Sequence, residues 1–458
     1  MTNHITERTY FLLKGKLASP LLSGSGETEE TENDIVVDQF QQPFVPGSSL
    51  AGAFRHYIGN RFPDTKDIPK TGKLDESVSD LEKLFGGNER QSRLTIHAMM
   101  IEHEKLTIRN GVKLDENKTA IEGALYDYQV IESGASWTIR LEWIVRAQDK
   151  EAETTKGREI LNALLIGINE GEVTIGAKTN RGFGKLQLDT VYHRTFDYRN
   201  KLEVLNWLKW DWSKEVDTKN SLMKEYPLTG IELTQLKPIQ EYCLRVPLKL
   251  ETTLMIRSYS SEKKNKEDEK ESDYASLQSN GQPVIPGTTW TGAIRARLNT
   301  IIKTILKNDR ESILLNELFG SDSEKRASRI RVEESTLEGS RSLLITRNAI
   351  DRFTGGTVEG ALYTGEQAVG GTTELIIRWS EQKDSVLSKD EICGMLLWVI
   401  KDLQNGLLAV GGETSVGRGV FCAIESQSIT LNGENIAGEQ SFFKAAINKV
   451  KEREKDAN

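Results

Sequence analysis

The sequence predicts an α+β chain of two tandem units, each on a ferredoxin-like β-α-β-β-α-β plan. Five segments occur twice, in the same order, at offsets of 233 to 240 residues. Within each copy, alternating aliphatic runs that read as strands are separated by apolar stripes of helical period. A length of 458 residues with 37% hydrophobic content leaves room for two cores, whereas a single core would exceed the usual domain size.

The first strand is "FLLKGKLASPLL" (Phe11 to Leu22) in copy one and "LRVPLKLETTLM" (Leu244 to Met255) in copy two. An acidic loop follows in each. Then come "PFVPGSSLAGAFRHYIG" (Pro43 to Gly59) and "PVIPGTTWTGAIRARL" (Pro283 to Leu298). Pro46 and Gly47 end a strand, and Ser48 and Ser49 stand where an N-cap is wanted, so a helix is expected to begin at the serines. Leu50, Ala53, Phe54, Tyr57 and Ile58 form its apolar stripe; Thr288 and Thr289 open the second helix, with Ala293, Ile294 and Leu298 as the stripe.

"LFGGNERQSRL" and "LFGSDSEKRASRI" read as a turn and a strand. Hairpin-like insertions, Lys105 to Ile121 and Thr346 to Val358, then run into a shared Glu-Gly-Ala-Leu-Tyr strand. A helix, a glycine-rich turn and a last strand close each copy, the turns being "GAKTNRGFGK" (Gly176 to Lys185) and "GGETSVGRG" (Gly411 to Gly419). Five ordered matches of this kind mark a duplication. The expected domains are residues 1–195 and 241–458, joined by a linker over 196–240 whose "LNWLKWDW" aromatics should pack on a repeat.

Several function classes are disfavoured. Cys243, Cys393 and Cys422 are too few and too widely spaced for a disulfide framework or a zinc cluster. The five His residues form no close ligand pair on one helix face, and no role is assigned to them. The start lacks the basic-then-apolar form of a signal peptide, and no run approaches a membrane span, so a cytoplasmic protein without a membrane partner is expected. A net charge of −8 argues against coating duplex nucleic acid by charge alone, but not against a local basic groove.

The repeated pieces carry the chemistry. A helix start beside two hydroxyls offers free backbone N–H groups to an anion such as a phosphate. Good capping alone would explain either copy; repetition of the Pro-Gly-hydroxyl-hydroxyl order weakens that explanation. Arg55 and Arg295 fall on equivalent helical turns. In the glycine-rich turns, Lys178, Arg181, Lys185 and Arg418 are the expected phosphate partners, and the glycines permit close backbone approach. Neither turn is a Walker loop, and neither has a Rossmann context.

Together these motifs resemble the repeat-associated mysterious protein (RAMP) superfamily, above all the Csm/Cmr-type backbone subunits of type III CRISPR effector complexes. The resemblance covers nearly the whole chain twice, as in a fused pair of such subunits of the kind found in some type III-D-like systems. It implies two ferredoxin-like (RRM-like) RAMP domains whose inserted hairpins act as thumbs. It also implies stacking with other subunits on a guide (CRISPR) RNA, which pairs with single-stranded target RNA. In catalytic relatives, an Asp in the loop between the first strand and the Pro-Gly helix start is required for metal-dependent cutting of the target.

Here the loops read "SGSGETEETENDIVVDQF" and "RSYSSEKKNKEDEKESDYASLQ". Asp34 fits best in copy one, with Glu32 and Asp38 as rivals; Asp273 is the one close candidate in copy two. Asp34 and Asp273 are therefore the expected catalytic and metal-binding residues, with Mg²⁺ or Mn²⁺ as cofactor, for an endoribonuclease active in one or both halves. The loops do not superpose residue for residue, and copy two has Arg257 and Ser258 where copy one keeps Gly24. A non-catalytic guide-RNA scaffold stays open as an alternative. A guide-precursor processing ribonuclease is disfavoured because the second half has no His; a duplicated regulatory protein with a small ligand would purify free of RNA.

Overall fold

The computed structural model describes residues 3–24, 34–66, 78–87, 90–102, 106–114, 120–212, 223–258, 273–306, 313–321, 325–382, 385–436 and 438–455. In the first repeat the strands are β1 (Ile5–Leu17), β2 (Phe44–Val45), β3 (Leu94–Ile96), β4 (Met99–Glu102), β5 (Leu106–Leu114), β6 (Ala120–Ile131), β7 (Ser136–Arg146), β8 (Leu186–Asp197) and β9 (Lys224–Glu225). The helices are α1 (Gly47–Arg61), α2 (Asp80–Phe85), α3 (Glu151–Asn169) and α4 (Lys201–Lys209).

β1 is central because its neighbours pair with both of its edges: Leu13 stands opposite Ile139 of β7 and Val191 of β8, both antiparallel. The sheet order is β2-β4-β7-β1-β8-β9, with β3 also beside β7. Leu50, Phe54 and Ile58 of α1 are buried, as a stripe of period four requires, and Ile160, Leu161, Leu164, Leu165 and Ile168 bury the matching face of α3.

The second repeat runs β10 (Glu241–Leu250), β11 (Thr253–Leu254), β12 (Arg257–Ser258), β13 (Tyr274–Ser276), β14 (Gln278–Ser279), β15 (Gln282–Ile285), α5 (Gly287–Leu306) and α6 (Ile313–Phe319). It continues with β16 (Arg331–Val332), β17 (Ser335–Thr336), β18 (Arg341–Ile350), β19 (Thr357–Val369), β20 (Thr372–Ser380), α7 (Lys389–Gln404), β21 (Asn405–Ala409), β22 (Val420–Ala423), β23 (Thr430–Leu431), β24 (Glu434–Asn435) and α8 (Glu439–Lys455). The sheet order β16-β20-β10-β22-β21 repeats the plan, with β10 in the place of β1. Leu244, Val246 and Leu248 of β10 lie in one core with Trp290 and Ile294 of α5 and Leu396, Leu397 and Ile400 of α7. Both repeats are α+β ferredoxin-like units with an inserted hairpin, β5–β6 in the first and β18–β19 in the second.

The compact units do not divide at residue 195. Met1–Thr107, Gln129–Thr179 and Phe183–Ile239 form the first, and Ile108–Tyr128, Asn180–Gly182 and Gln240–Asn458 the second. Residues 196–239, expected as a linker, belong to the first unit. There β9 pairs with β8, Trp207 Nε1 donates to the Tyr10 hydroxyl at 2.8 Å, and Trp210 stacks on Tyr10 with ring centres 4.2 Å apart. Most of the first hairpin, by contrast, belongs to the second unit, for an electrostatic reason. Arg109 of β5 is 1% exposed, and its Nη1 and Nη2 donate to the Glu334 carboxylate at 2.5 and 3.2 Å. Buried beside this pair, the Tyr128 hydroxyl is pushed up to about 12, chiefly by desolvation.

Candidate nucleic-acid interface

The two helix entrances share a construction that differs from the expected one. α1 begins at Gly47, with Pro46 in the cap position and no side-chain cap; Ser48 and Ser49 are already helical and exposed. The cause is steric. A Cβ on Gly47 would strike the carbonyl of Ile96, so only glycine lets the first turn sit against β3. α5 repeats this, with Gly287 against the Val332 carbonyl and with Thr288 and Thr289 half-buried. The backbone N–H groups of Ser49 and Thr289 turn back to the carbonyls of Pro46 and Pro286 at 3.0 and 2.9 Å.

Arg55 is not aimed at that entrance. Its Nη1 donates to the Gly86 carbonyl at 3.3 Å and ties α1 to the Leu-Phe-Gly turn. Arg295 holds the matching, half-buried position on α5.

The glycine-rich turns share backbone conformation at matching positions but differ in charge. Lys178 and Glu413 both sit at a φ of 57°, and a Cβ on Gly184 or Gly419 would collide with the carbonyl of Ile175 or Val410 respectively. The register thus set places Glu413 opposite Lys178 and Arg418 opposite Phe183. In the first turn Arg181 is exposed and Lys185 half-buried, whereas Phe183 is buried. Arg418, expected as a phosphate partner, takes the buried slot instead: it is 2% exposed, with Nη1 2.9 Å from the Glu413 carboxylate. Among the described residues none of its guanidinium nitrogens has an aligned hydrogen-bond partner, so the contact is one of charge.

Glu413 is a centre of ion pairing that the sequence reading missed; the sign reversal at Lys178 was the available signal. Its Oε1 accepts from Arg257 Nη2 at 3.0 Å and from the Tyr274 hydroxyl at 3.1 Å; its Oε2 accepts from Arg347 Nη1 at 3.3 Å. The Arg257 guanidinium also lies 4.8 Å from the centre of the Tyr274 ring. Burial alone would raise the Glu413 carboxyl, but the Arg257 hydrogen bond and the Arg418 charge overcome it and hold it below the usual 4.5.

A carboxyl depressed on folding contributes stability above its unfolded value and loses that contribution as pH falls through the folded one. Glu413→Gln should therefore melt below the wild type at pH 7. The gap between the two melts should narrow as pH falls below about 4.5. A gap that stays constant with pH would contradict the assignment.

The candidate acids occupy different settings. Glu32 lies outside the described residues. Asp38 is a turn former: its Oδ1 accepts from the N–H groups of Phe40 and Gln42 at 2.8 and 2.9 Å. Asp34 is half-exposed, at the point where the chain returns to pair Ile35 with Gly24 and to bring the Ile35 N–H 3.2 Å from Gln129 Oε1. Asp273 is exposed but engaged. Its N–H donates to the Thr364 carbonyl at 2.8 Å, and its Oδ2 accepts the Thr364 N–H at 2.7 Å, beside the parallel pairing of β13 with β19. Asp273→Ala should consequently speed amide exchange at Thr364 at the base of the second hairpin; unchanged exchange there would refute this tethering role.

The RAMP superfamily model matches residues 14–187 and 248–422, once in each repeat. The chain belongs to that superfamily, as a tandem pair. No curated protein matches the sequence. Among solved structures, the chain is similar to one described as a cryo-EM structure of the type III-B Cmr-beta bound to cognate target RNA. The identity is 16%, the TM-score 0.30, and the match covers 41% of this chain and 61% of that one. Among the described residues, no helix is long and apolar enough to cross a membrane.

Proposed function

We propose that this chain is a guide-RNA-binding backbone subunit of a type III CRISPR ribonucleoprotein. In this reading it fills two consecutive backbone positions and cuts paired target RNA from its first half. The observation that carries it is the repeated pairing, within a RAMP chain, of a Gly-entered helix with a glycine-rich turn. In the first unit the helix entrance presents exposed Ser48 and Ser49, and the glycine-rich turn carries half-buried Lys178 and Lys185. A turn of this kind suits a phosphate backbone and reads no base. Its local basic character makes a net charge of −8 tolerable.

Cutting is assigned to Asp34, whose loop returns directly to the α1 entrance. No group of three or more His, Cys, Asp or Glu gathers among the described residues. A Mg²⁺ or Mn²⁺ ion held by Asp34 would thus complete its shell from RNA phosphate and water, a mode that suits Mg²⁺. When bound, such an ion supplies charge neutralisation at the scissile phosphate. Attack by the neighbouring 2′-OH forms the 2′-O–P bond and breaks the P–O5′ bond, giving a 2′,3′-cyclic phosphate and a 5′-OH. In this reading the second half, where Asp273 Oδ2 accepts the Thr364 N–H, holds RNA without cutting it.

The test is end-group analysis of target RNA cut by the assembled complex with Mg²⁺. A cyclic phosphate, and complete block by a deoxynucleotide at the cut, are expected. A 3′-OH product would contradict the mechanism.

A further inference from the structure

The two glycine-rich turns give one backbone position opposite charges, and in the second repeat the acid lands among arginines. Glu413 leaves its turn where Lys178 leaves the first, both at a φ of 57°. Each of its carboxylate oxygens is held twice. Oε1 accepts from Arg257 Nη2 at 3.0 Å and from the Tyr274 hydroxyl at 3.1 Å; Oε2 accepts from Arg347 Nη1 at 3.3 Å and lies 2.9 Å from Arg418 Nη1. Arg257 comes from β12, Tyr274 from β13 and Arg347 from the hairpin strand β18, all within the second unit.

Two features of this cluster exceed what an ion pair needs for packing. Among the described residues, three guanidiniums meet one carboxylate, which leaves two positive charges in excess. Arg418 is also 2% exposed without an aligned hydrogen bond to any of its guanidinium nitrogens, and buried donors left unmade are costly. The matching slot in the first repeat is filled by buried Phe183, so the turn itself does not call for an arginine there. Guanidiniums take carboxylate and phosphate alike, because both offer paired oxygens to the planar fork. A phosphate dianion in place of the carboxylate would cover one charge more and bring a third oxygen to the unmet Arg418 N–H groups. A phosphodiester carries a single charge, as Glu413 does, and gains nothing by replacing it.

We infer that Glu413 is an internal stand-in for phosphate: its carboxylate closes a three-arginine site in the second repeat whose fitting ligand is a phosphate dianion, as carried by a phosphate monoester. Arg257, Arg347 and Arg418 form the site, and Glu413 holds it shut until it is displaced. The inference is independent of guide RNA, and its test contains none.

Thermal melting of the full chain at about pH 8 tests this, with methyl phosphate as the dianionic monoester, dimethyl phosphate as the diester, and chloride at equal ionic strength as the reference. In about 20 mM methyl phosphate, Glu413→Gln should melt about 3 °C or more above its value in chloride. The wild type should shift by less than about 1 °C, because its own carboxylate fills the site. Dimethyl phosphate should move neither protein. Adding Arg257→Ala to Glu413→Gln should abolish the response, which locates it at this cluster. Glu413→Ala carries the same comparison if Glu413→Gln does not fold. A wild type that responds as strongly as the variant, a variant that ignores methyl phosphate, an equal shift with dimethyl phosphate, or a response that survives Arg257→Ala would each overturn the inference.

Discussion

Arg109→Ala should destabilise the second unit by about 3–5 kcal/mol, the cost of leaving one member of a buried ion pair unpartnered. Glu334 has a side chain only 7% exposed, so its carboxylate could not recover water by a small rearrangement. Urea unfolding followed through the buried Trp290 and Trp379, both in that unit, reads the effect. The double change Arg109→Met with Glu334→Leu removes both charges at similar volume and should recover most of the loss. Arg347→Ala is the control. That side chain is 32% exposed, and Glu413 keeps Arg257 and Arg418, so a loss below about 1 kcal/mol is expected. Equal losses for Arg109→Ala and Arg347→Ala would show that burial does not distinguish the two arginines.

Asp34→Ala should lower target cleavage by the assembled complex by roughly 100-fold or more, the scale of losing a preorganised group that acts on transition-state charge. Guide binding should be unchanged, because Asp34 lies in the returning loop and not in the glycine-rich turn. Asp273→Ala should leave every product band in place. Loss of a band with Asp273→Ala, or survival of all bands with Asp34→Ala, would move the chemistry to the second half, to Glu32 or to another subunit.

The duplicated fold was legible in the sequence because each anchor answers a backbone requirement. Gly47 and Gly287 permit contact with a strand carbonyl, Gly184 and Gly419 permit a positive φ against another carbonyl, and the α1 stripe buries where period 3.6 places it. Side-chain roles were less legible, since the same spacing allows a side chain to face solvent or core. Arg418 reads as a phosphate ligand until the register shows it in the slot of Phe183. Ser48 reads as a cap until Gly47 begins the helix one residue earlier. The Arg109–Glu334 pair joins residues 225 positions apart and could not be read from local pattern at all.

Under the proposed function, the two halves hold one guide RNA along equivalent surfaces. Photo-crosslinking of the RNA carried by the purified complex, with the crosslinked peptides identified by mass spectrometry, tests it most directly. A bound guide crosslinked at both helix entrances, around Ser48–Ser49 and Thr288–Thr289, and at the turn around Arg181, is expected. A complex that purifies free of RNA, or RNA crosslinked only outside both repeats, would contradict it.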